Sequence, residues 1–280
     1  MAGVGISGIA WEVAEDEAVA AVLRARGVDA IDVAPGKYFP DLPGAGDAQI
    51  AQVRRQWRDR GFAVHGMQSL LFGTTGLNLF GSAEVQQRML GHLDAVCRVG
   101  AGLGAVPLVF GSPKNRDRSA IADDGQVDEI AVGFFRRLGD IARGHGVVVC
   151  LEPNPTRYGC NFMTTTDEAA RIVRLVDHPA IRMQFDTGTV TINREDPVAL
   201  LARHAGIVGH VHASEPDLVT LGDGNADHPA LGAAIRACLP RTIVTIEMVG
   251  APGTDHPALI ARAVDLAQRA YGIRTSSGPA

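Results

Sequence analysis

The chain has 280 residues, of which 46% are hydrophobic and 20% are charged, and its formal net charge is −5. This composition excludes most disordered chains, because these combine low hydrophobicity with a high net charge. A small acidic excess also argues against a nucleic-acid-binding surface, which normally needs clustered lysine and arginine. We therefore expect a folded protein whose partner is a small molecule and not a nucleic acid.

The cysteines and the first residues bear on the cellular compartment. The four cysteines are widely scattered and form no C-x-x-C pair, which is typical of a reducing cytoplasm and not of a disulfide framework. The short apolar run at the start has no basic segment and soon meets acidic residues, from Glu12 to Glu17. Neither a signal peptide nor a membrane span is predicted, so we expect a cytoplasmic protein that binds no membrane.

Eight short apolar runs recur along the chain, and segments of helical periodicity separate them. The runs are apolar nearly throughout, as expected for parallel strands that are covered on both faces. The predicted strands are Val4–Ala10, Ala30–Ala34, Ala63–Gln68, Ala105–Phe110, Val147–Leu151, Ile181–Phe185, Ile207–Val211 and Ile243–Ile246.

The segments between the runs carry start and stop signals for helices. Gly27 follows the first apolar stripe, and Ser82 opens a third helix that we expect to stop at Gly100. Thr165 and Glu168 have the spacing of a capping box before the fifth helix. Prolines mark the first turns of the last three predicted helices, at Pro197, Pro229 and Pro257.

The strand and helix pattern predicts one domain. Eight strand–helix pairs over 280 residues give about 35 residues per unit, and no linker divides them. We predict an α/β fold, a single-domain (β/α)8 TIM barrel over residues 1–272, with a flexible C-terminal tail over residues 273–280. The alternative, a doubly wound open sheet, is disfavoured because Trp11-Glu12 and no glycine-rich phosphate-binding turn follows the first strand.

In such a barrel the functional site lies at the C-terminal ends of the strands. The last four predicted strands end near Glu152, Asp186, His212 and Glu247. Taken singly, each residue is more typical of a helix cap or a loop salt bridge. Together they should converge at one rim, where one divalent cation would offset the repulsion between the carboxylates. The oxygen-rich ligand set favours Mn²⁺, with Mg²⁺, Co²⁺ and Zn²⁺ as alternatives.

With these residues the chain resembles the xylose isomerase-like TIM barrels, a superfamily that holds sugar isomerases, ketose 3-epimerases, inosose dehydratases and AP endonucleases of the endonuclease IV type. The motifs that carry the resemblance are Val109-Phe110-Gly111-Ser112-Pro113, Glu152-Pro153-Asn154, Asp186-Thr187-Gly188, His210-Val211-His212 and Ile246-Glu247.

The resemblance implies a mechanism and an assembly. One metal ion would be bound by the four strand-end residues, with Asp186 and His212 serving mainly as ligands. Glu152 and Glu247 would also be the acid and base that move protons through a metal-stabilised enediolate. Dimers and tetramers are frequent in such families, so a homodimer or homotetramer is expected.

The chain departs from the resembled families at two places. Many members have a histidine three residues after the aspartate of the sixth strand, where this chain has Thr189. The epimerases carry an arginine beyond the histidine of the seventh strand, where this chain reads Glu215-Pro216-Asp217-Leu218. These departures argue against a simple free-ketohexose epimerase. They argue more strongly against an AP endonuclease, whose three-zinc site needs further histidines.

Several residues near the strand ends are candidate substrate contacts. Aromatic side chains would stack on a sugar ring, although ordinary rim packing is the alternative. The cations after the fourth strand would bind a phosphate or a carboxylate, unless they belong to a solvated loop. The candidates are Trp11, Tyr38, Gln68, Lys114, Arg116, Asn154 and Glu215.

The leading hypothesis is a divalent-metal-dependent isomerase or epimerase that acts on a sugar or sugar phosphate by proton transfer next to a carbonyl. A first alternative is a lyase that resembles inosose dehydratase and removes water from a keto-cyclitol or keto-sugar. A second alternative is a barrel that binds carbohydrate without turnover or serves as a partner subunit.

Overall fold

The computed structural model describes residues 3–272. Within them, eight parallel strands follow chain order around a closed barrel, and β8 pairs with β1 to complete the wall. The predicted (β/α)8 barrel is confirmed, and the open-sheet alternative is wrong. The predicted tail, residues 273–280, lies outside the described residues. The strands are β1 (Val4–Ser7), β2 (Ala30–Val33), β3 (Ala63–Met67), β4 (Pro107–Phe110), β5 (Val148–Leu151), β6 (Ile181–Asp186), β7 (Val208–Ser214) and β8 (Val244–Glu247).

Nine α-helices lie within residues 3–272, one more than the eight-unit pattern predicts. None of them is both long and apolar enough to cross a membrane. The helices are α1 (Asp16–Arg24), α2 (Asp47–Asp59), α3 (Ala83–Leu103), α4 (Asp124–His145), α5 (Thr166–Val176), α6 (Thr187–Asn193), α7 (Pro197–His204), α8 (His228–Cys238) and α9 (His256–Ala270).

The extra helix, α6, directly follows β6. The Asp186 carboxylate accepts the backbone N–H of Thr189 and so caps the first turn of this helix. Seven residues are too few to show a clear helical periodicity in the sequence. Asp186 was interpreted as a metal ligand, and no helix was predicted to start there. The aspartate therefore begins a helix at the rim of the barrel.

The end of α3 differs from its prediction for a packing reason. The helix continues past Gly100 to Leu103 and ends at the left-handed Gly104, whose φ is 92°. A Cβ atom on Gly100 would lie 2.8 Å from Leu108 Cδ2. Gly100 therefore allows the helix to approach the sheet closely and is not a stop signal.

Aromatic side chains show how the helices cover the barrel wall. Phe110 on β4 contacts Phe135 on α4 with ring centroids 5.4 Å apart, and Phe134 packs edge to face on Phe135 at 5.6 Å. All three are buried, and the burial of each contributes about 1.5–3 kcal/mol. This core between sheet and helices fixes the strand ends from which the site is built.

Candidate functional site

The last four strands bring the four strand-end residues together. Glu152 follows β5 directly, Asp186 ends β6, His212 lies within β7 and Glu247 ends β8. One side-chain ligand atom from each lies within 4.8 Å of the others, and all four residues are buried. Because neighbouring parallel strands end at the same edge of the barrel, residues distant in sequence share one point there.

The His212 ring lies between two sets of carboxylates. Its Nδ1 lies 3.2 Å from Glu247 Oε2 and 3.7 Å from Glu152 Oε1, whereas its Nε2 lies 3.6 Å from Asp32 Oδ2. Burial lowers the pKa of His212, but the charge of Glu247 and the contacts with Asp32 and Glu152 outweigh burial and raise the pKa well above its usual value. Nδ1 is therefore the nitrogen that faces the cluster.

Asp32 also contacts His210, two residues before His212. His210 Nε2 lies 2.6 Å from Asp32 Oδ2, and both side chains have no exposed surface. Asp32 is on β2 and His210 on β7, with β1 and β8 between them around the wall, so this contact crosses the barrel interior. Burial raises the pKa of Asp32, but the two imidazoles outweigh it and hold the pKa well below its usual range.

The sequence prediction had given no role to Asp32 or His210, although signals were present. Residues two apart on a strand point to the same face, so the spacing alone places His210 on the face of His212. A carboxylate within the otherwise apolar run Ala30–Val33 needed a buried partner. The sequence pattern does not show that Asp32 and His210 lie within contact distance across the barrel.

Each glutamate of the cluster is held by a side-chain amide. Gln68 Nε2 donates to Glu247 Oε1 at 2.7 Å, and Asn154 Nδ2 donates to Glu152 Oε2 at 3.2 Å. The other oxygen of each carboxylate faces His212. Burial raises the pKa of Glu247, but His212 and Gln68 outweigh it, so that the pKa is lowered. Gln68 and Asn154 therefore orient the glutamates. Both also line the cavity, and their contact with substrate stays a prediction.

Asp186 is held by β7 and by its own helix. Ser214 Oγ donates to Asp186 Oδ2 at 2.6 Å, and the Thr189 N–H donates to Oδ1 at 2.6 Å. Burial and the nearby charges of Glu247 and Glu152 raise the pKa of Asp186 to about 7. Repulsion among these carboxylates is thus a physical feature of the metal-free cluster.

The donor set fits a divalent cation. Three carboxylates and one imidazole nitrogen converge, and hard oxygen donors suit Mn²⁺ or Mg²⁺ while the imidazole also admits Co²⁺ or Zn²⁺. The backbone makes room for this arrangement at Gly111, because a Cβ atom there would overlap the Glu152 carboxylate. A cation would offset the repulsion that raises the pKa of Asp186.

A cavity of about 520 Å³ opens above the cluster. Residues from the loops after β3, β4, β5 and β7 line it, together with the start of α6 and the ends of β4, β6, β7 and β8. The predicted site residues among its lining are Gln68, Glu152, Asn154, Asp186, Glu215 and Glu247.

Two predicted aromatic contacts lie away from this cavity. Trp11 is buried against Trp57, with ring centroids 6.1 Å apart, and its Nε1 donates to Asp16 at 2.8 Å. Tyr38 Oη donates to the same carboxylate at 3.1 Å. Neither is among the described residues that line the cavity. Both side chains are thus engaged in packing and hydrogen bonds outside the cavity lining, and their expected stacking on substrate stays a prediction.

The two predicted anion-binding cations also lie outside the lining. Arg116 is fully buried and its Nη1 donates to the backbone carbonyl of Glu152 at 2.7 Å. Lys114 is exposed in the turn after β4. Arg116 therefore supports the backbone at Glu152. Neither cation is among the described residues that line the cavity, and their contact with substrate stays a prediction.

Glu215 lines the cavity, but its carboxylate serves the loop after β7. It accepts the N–H groups of Gly222 at 3.0 Å and Ala226 at 2.9 Å, and it lies 2.9 Å from His228 Nε2. With its lone pairs used in this way, Glu215 is an anchor of the loop that forms one wall of the cavity.

Comparison with known proteins places the chain in a family. A model of the xylose isomerase-like TIM barrel family matches residues 20–270. An inosose dehydratase of Lacticaseibacillus casei is 26% identical over 159 residues, which are 55% of this chain and 52% of that protein. An L-ribulose 3-epimerase of Methylomonas sp. is 28% identical over 117 residues, 42% of this chain and 41% of that protein. The chain thus spans about half, or less, of the length of these curated relatives.

Among solved structures, the D-psicose 3-epimerase of Clostridium cellulolyticum H10 has a TM-score of 0.79 at 18% identity, over 96% of this chain and 99% of that chain. This likeness concerns the fold. The family model, by contrast, covers most of the chain, from helix α1 to the end of α9. The chain belongs to the xylose isomerase-like TIM barrel family.

Proposed function

We propose that the protein is a divalent-metal-dependent sugar isomerase or epimerase that transfers a proton at the carbon next to a carbonyl group. The observation that carries the proposal is the pair of buried glutamates at the floor of the cavity. Glu152 and Glu247 each have one oxygen in the ligand cluster and the other held by an amide. Carboxylates positioned in this way suit proton abstraction and return.

Four residues would hold the cation, for which we propose Mn²⁺: Glu152, Asp186, His212 and Glu247. When bound, the cation would supply positive charge beside the carbonyl and hydroxyl oxygens of the substrate.

Glu152 and Glu247 would take and return the proton, because both line the cavity. Asn154 and Gln68 would keep the two carboxylates in orientation during the transfer. Concave walls around the cluster would exclude most water from the reacting carbon.

A lyase remains as a second candidate, since an inosose dehydratase is among the curated relatives at 26% identity. Such a reaction begins with the same proton abstraction by a glutamate. It continues with loss of a hydroxide from the neighbouring carbon, which leaves as water after it takes up a proton. The two reactions therefore need the same carboxylates. In the isomerase or epimerase the proton is returned to the substrate, whereas in the lyase a hydroxyl group leaves as water.

The test is incubation of the Mn²⁺-loaded protein with ketoses, ketose phosphates and inososes in D₂O, followed by NMR. Deuterium at the α-carbon together with a new epimer or isomer supports the proposal, and loss of water supports the lyase. Absence of exchange from a metal-loaded protein over the whole panel would favour the non-catalytic alternative.

Variants connect the exchange to the two glutamates. Glu247→Gln and Glu152→Gln should each reduce deuterium exchange by at least about a hundredfold, the usual contribution of one positioned acid or base. Glu129→Gln changes the same kind of residue at an exposed position on α4 and should leave exchange unchanged. Full activity of Glu247→Gln would show that the acid–base assignment is wrong.

A further inference from the structure

The charge of the cavity lining restricts the substrate. Its ionisable side chains within the described residues are Glu152, Asp186, Glu215, Asp217 and Glu247, with Tyr158 at the mouth, and neither lysine nor arginine is among them. Carboxylates here outnumber the two charges that a divalent cation supplies. Because phosphate recognition relies on cationic donors, this lining disfavours a sugar phosphate.

Two arginines close to the lining in sequence are engaged elsewhere, while the exposed Lys114 is not part of the lining. Arg157, beside Tyr158, forms an ion pair with Asp217. Arg116 donates to the Glu152 carbonyl from a fully buried position. Arg157 is thus neutralised by a carboxylate of the lining itself.

The mouth of the cavity is apolar. Leu71, Phe72, Tyr158 and Leu218 belong to the lining, and we call these four residues the apolar rim. Phe72 is 85% exposed and Tyr158 38% exposed. A large aromatic side chain held open to solvent at the entrance of a cavity is more informative than a scattered surface leucine, because aromatic faces supply contact area for a ligand.

One part of the apolar rim is held in an uncommon backbone conformation. Asp217 and Leu218 are consecutive left-handed residues, with φ of 60° and 53°, a region that residues other than glycine seldom adopt. The Asp217 N–H donates to Tyr158 Oη at 2.7 Å, and the Leu218 carbonyl accepts the Val249 N–H at 2.9 Å. These contacts tie the loop after β7 to the loops after β5 and β8, with Leu218 in the cavity lining.

We propose that the substrate is an uncharged keto sugar that carries an apolar substituent, such as a keto glycoside with an apolar aglycone, and not a sugar phosphate. The sugar would lie over the glutamates and the substituent against the apolar rim. The cavity of about 520 Å³ is in the range of roughly 300–1,000 Å³ typical of sites for drug-sized ligands. This inference rests on the proposed function, since it names the substrate class of the same site.

The probes for the test are methyl and phenyl 3-keto-β-D-glucosides, D-fructose and fructose 6-phosphate. Deuterium exchange in D₂O is measured with the Mn²⁺-loaded protein, and binding of each probe is measured by calorimetry. The phenyl glucoside should have a KM and a Kd about two- to tenfold below those of the methyl glucoside, the size of one aromatic contact. The phosphate should bind more weakly than D-fructose.

Variants of the apolar rim test the location of the substituent. Phe72→Ala and Leu218→Ala should remove the advantage of phenyl over methyl, in both KM and Kd. Val219→Ala is the matched control, because Val219 lies in the same loop, is 40% exposed and is not in the lining. It should keep the phenyl advantage.

The outcomes separate this inference from the proposed function. Exchange with D-fructose but equal binding of the two glucosides, or tighter binding of the phosphate, would overturn the inference alone. A phenyl advantage in binding that depends on Phe72 and Leu218, without exchange of any probe, would support the substrate class while overturning the isomerase or epimerase. Loss of the advantage in Val219→Ala as strongly as in Phe72→Ala would refute the assignment to the apolar rim.

Discussion

Replacement of Asp32 by asparagine tests how the barrel interior orients His212, a proposed metal ligand. Asp32 Oδ2 lies 2.6 Å from His210 Nε2 and 3.6 Å from His212 Nε2, and the carboxylate has no exposed surface. Asparagine keeps the size of the side chain but removes the charge that draws Nε2 of His212 inward. The Nδ1 atom of His212 then loses its fixed direction toward Glu152 and Glu247.

The expected loss of metal affinity is that of removing a carboxylate that orients a metal-binding histidine. Removing a carboxylate partner of a metal-binding histidine typically weakens metal binding by about 10–100-fold, which is about 1.4–2.7 kcal/mol. The change also removes one member of a fully buried pair and leaves His210 without its carboxylate partner. We therefore expect Asp32→Asn to lower the free energy of unfolding by about 3 kcal/mol.

The assay is a Mn²⁺ titration followed by electron paramagnetic resonance, with calorimetry as a second measure, on protein shown to be folded by circular dichroism. Asp16→Asn is the matched control. Asp16 is also buried and accepts bonds from Trp11 and Tyr38, but it is not part of the metal cluster. It should lose stability and keep its Mn²⁺ affinity. Equal Mn²⁺ affinity of Asp32→Asn and the unchanged protein would refute the orienting role.

Two further predictions concern the cluster itself. Without a metal ion, Asp186, with a pKa raised to about 7, and His212, with a raised pKa, keep protons that the unfolded chain releases, so the stability that each contributes should be lost as pH rises through its pKa. Mn²⁺ should therefore raise the Tm more at pH 8 than at pH 5, and the reverse order in thermal unfolding would contradict this. Gly111→Ala should weaken Mn²⁺ binding at least about tenfold, because its Cβ displaces the Glu152 carboxylate. Gly133→Ala, with open space at its Cβ, should not, and equal affinities in calorimetry would exclude the steric argument.

The positions of the four strand-end residues were accessible from the sequence because a parallel barrel has a simple register. Each βα unit ends at the same rim, so a ligand-type residue at each strand end suffices to predict convergence. Side-chain direction beyond the strands was not accessible. Arg116 follows β4 as a substrate-binding cation would, but the turn after the strand directs its guanidinium to the Glu152 carbonyl.

Contacts across the barrel were also beyond the sequence pattern. Asp32 and His210 are 178 residues apart and meet only because the sheet closes. Glu215 is a similar case, since a carboxylate beside a strand end has the same appearance whether it faces a ligand or its own loop. Only the path of the following residues, which brings Gly222 and Ala226 back to its oxygens, decides between the two.

Asp186 has a consequence for redesign of the site. Glu152 and Glu247 accept hydrogen bonds from the side-chain amides of Asn154 and Gln68, and each glutamate and its amide partner can be replaced together. Asp186 instead caps α6 through the Thr189 N–H and receives the Ser214 hydroxyl, so the start of a helix depends on its carboxylate. A new side chain at position 186 should therefore alter the local backbone as well as the proposed ligand set.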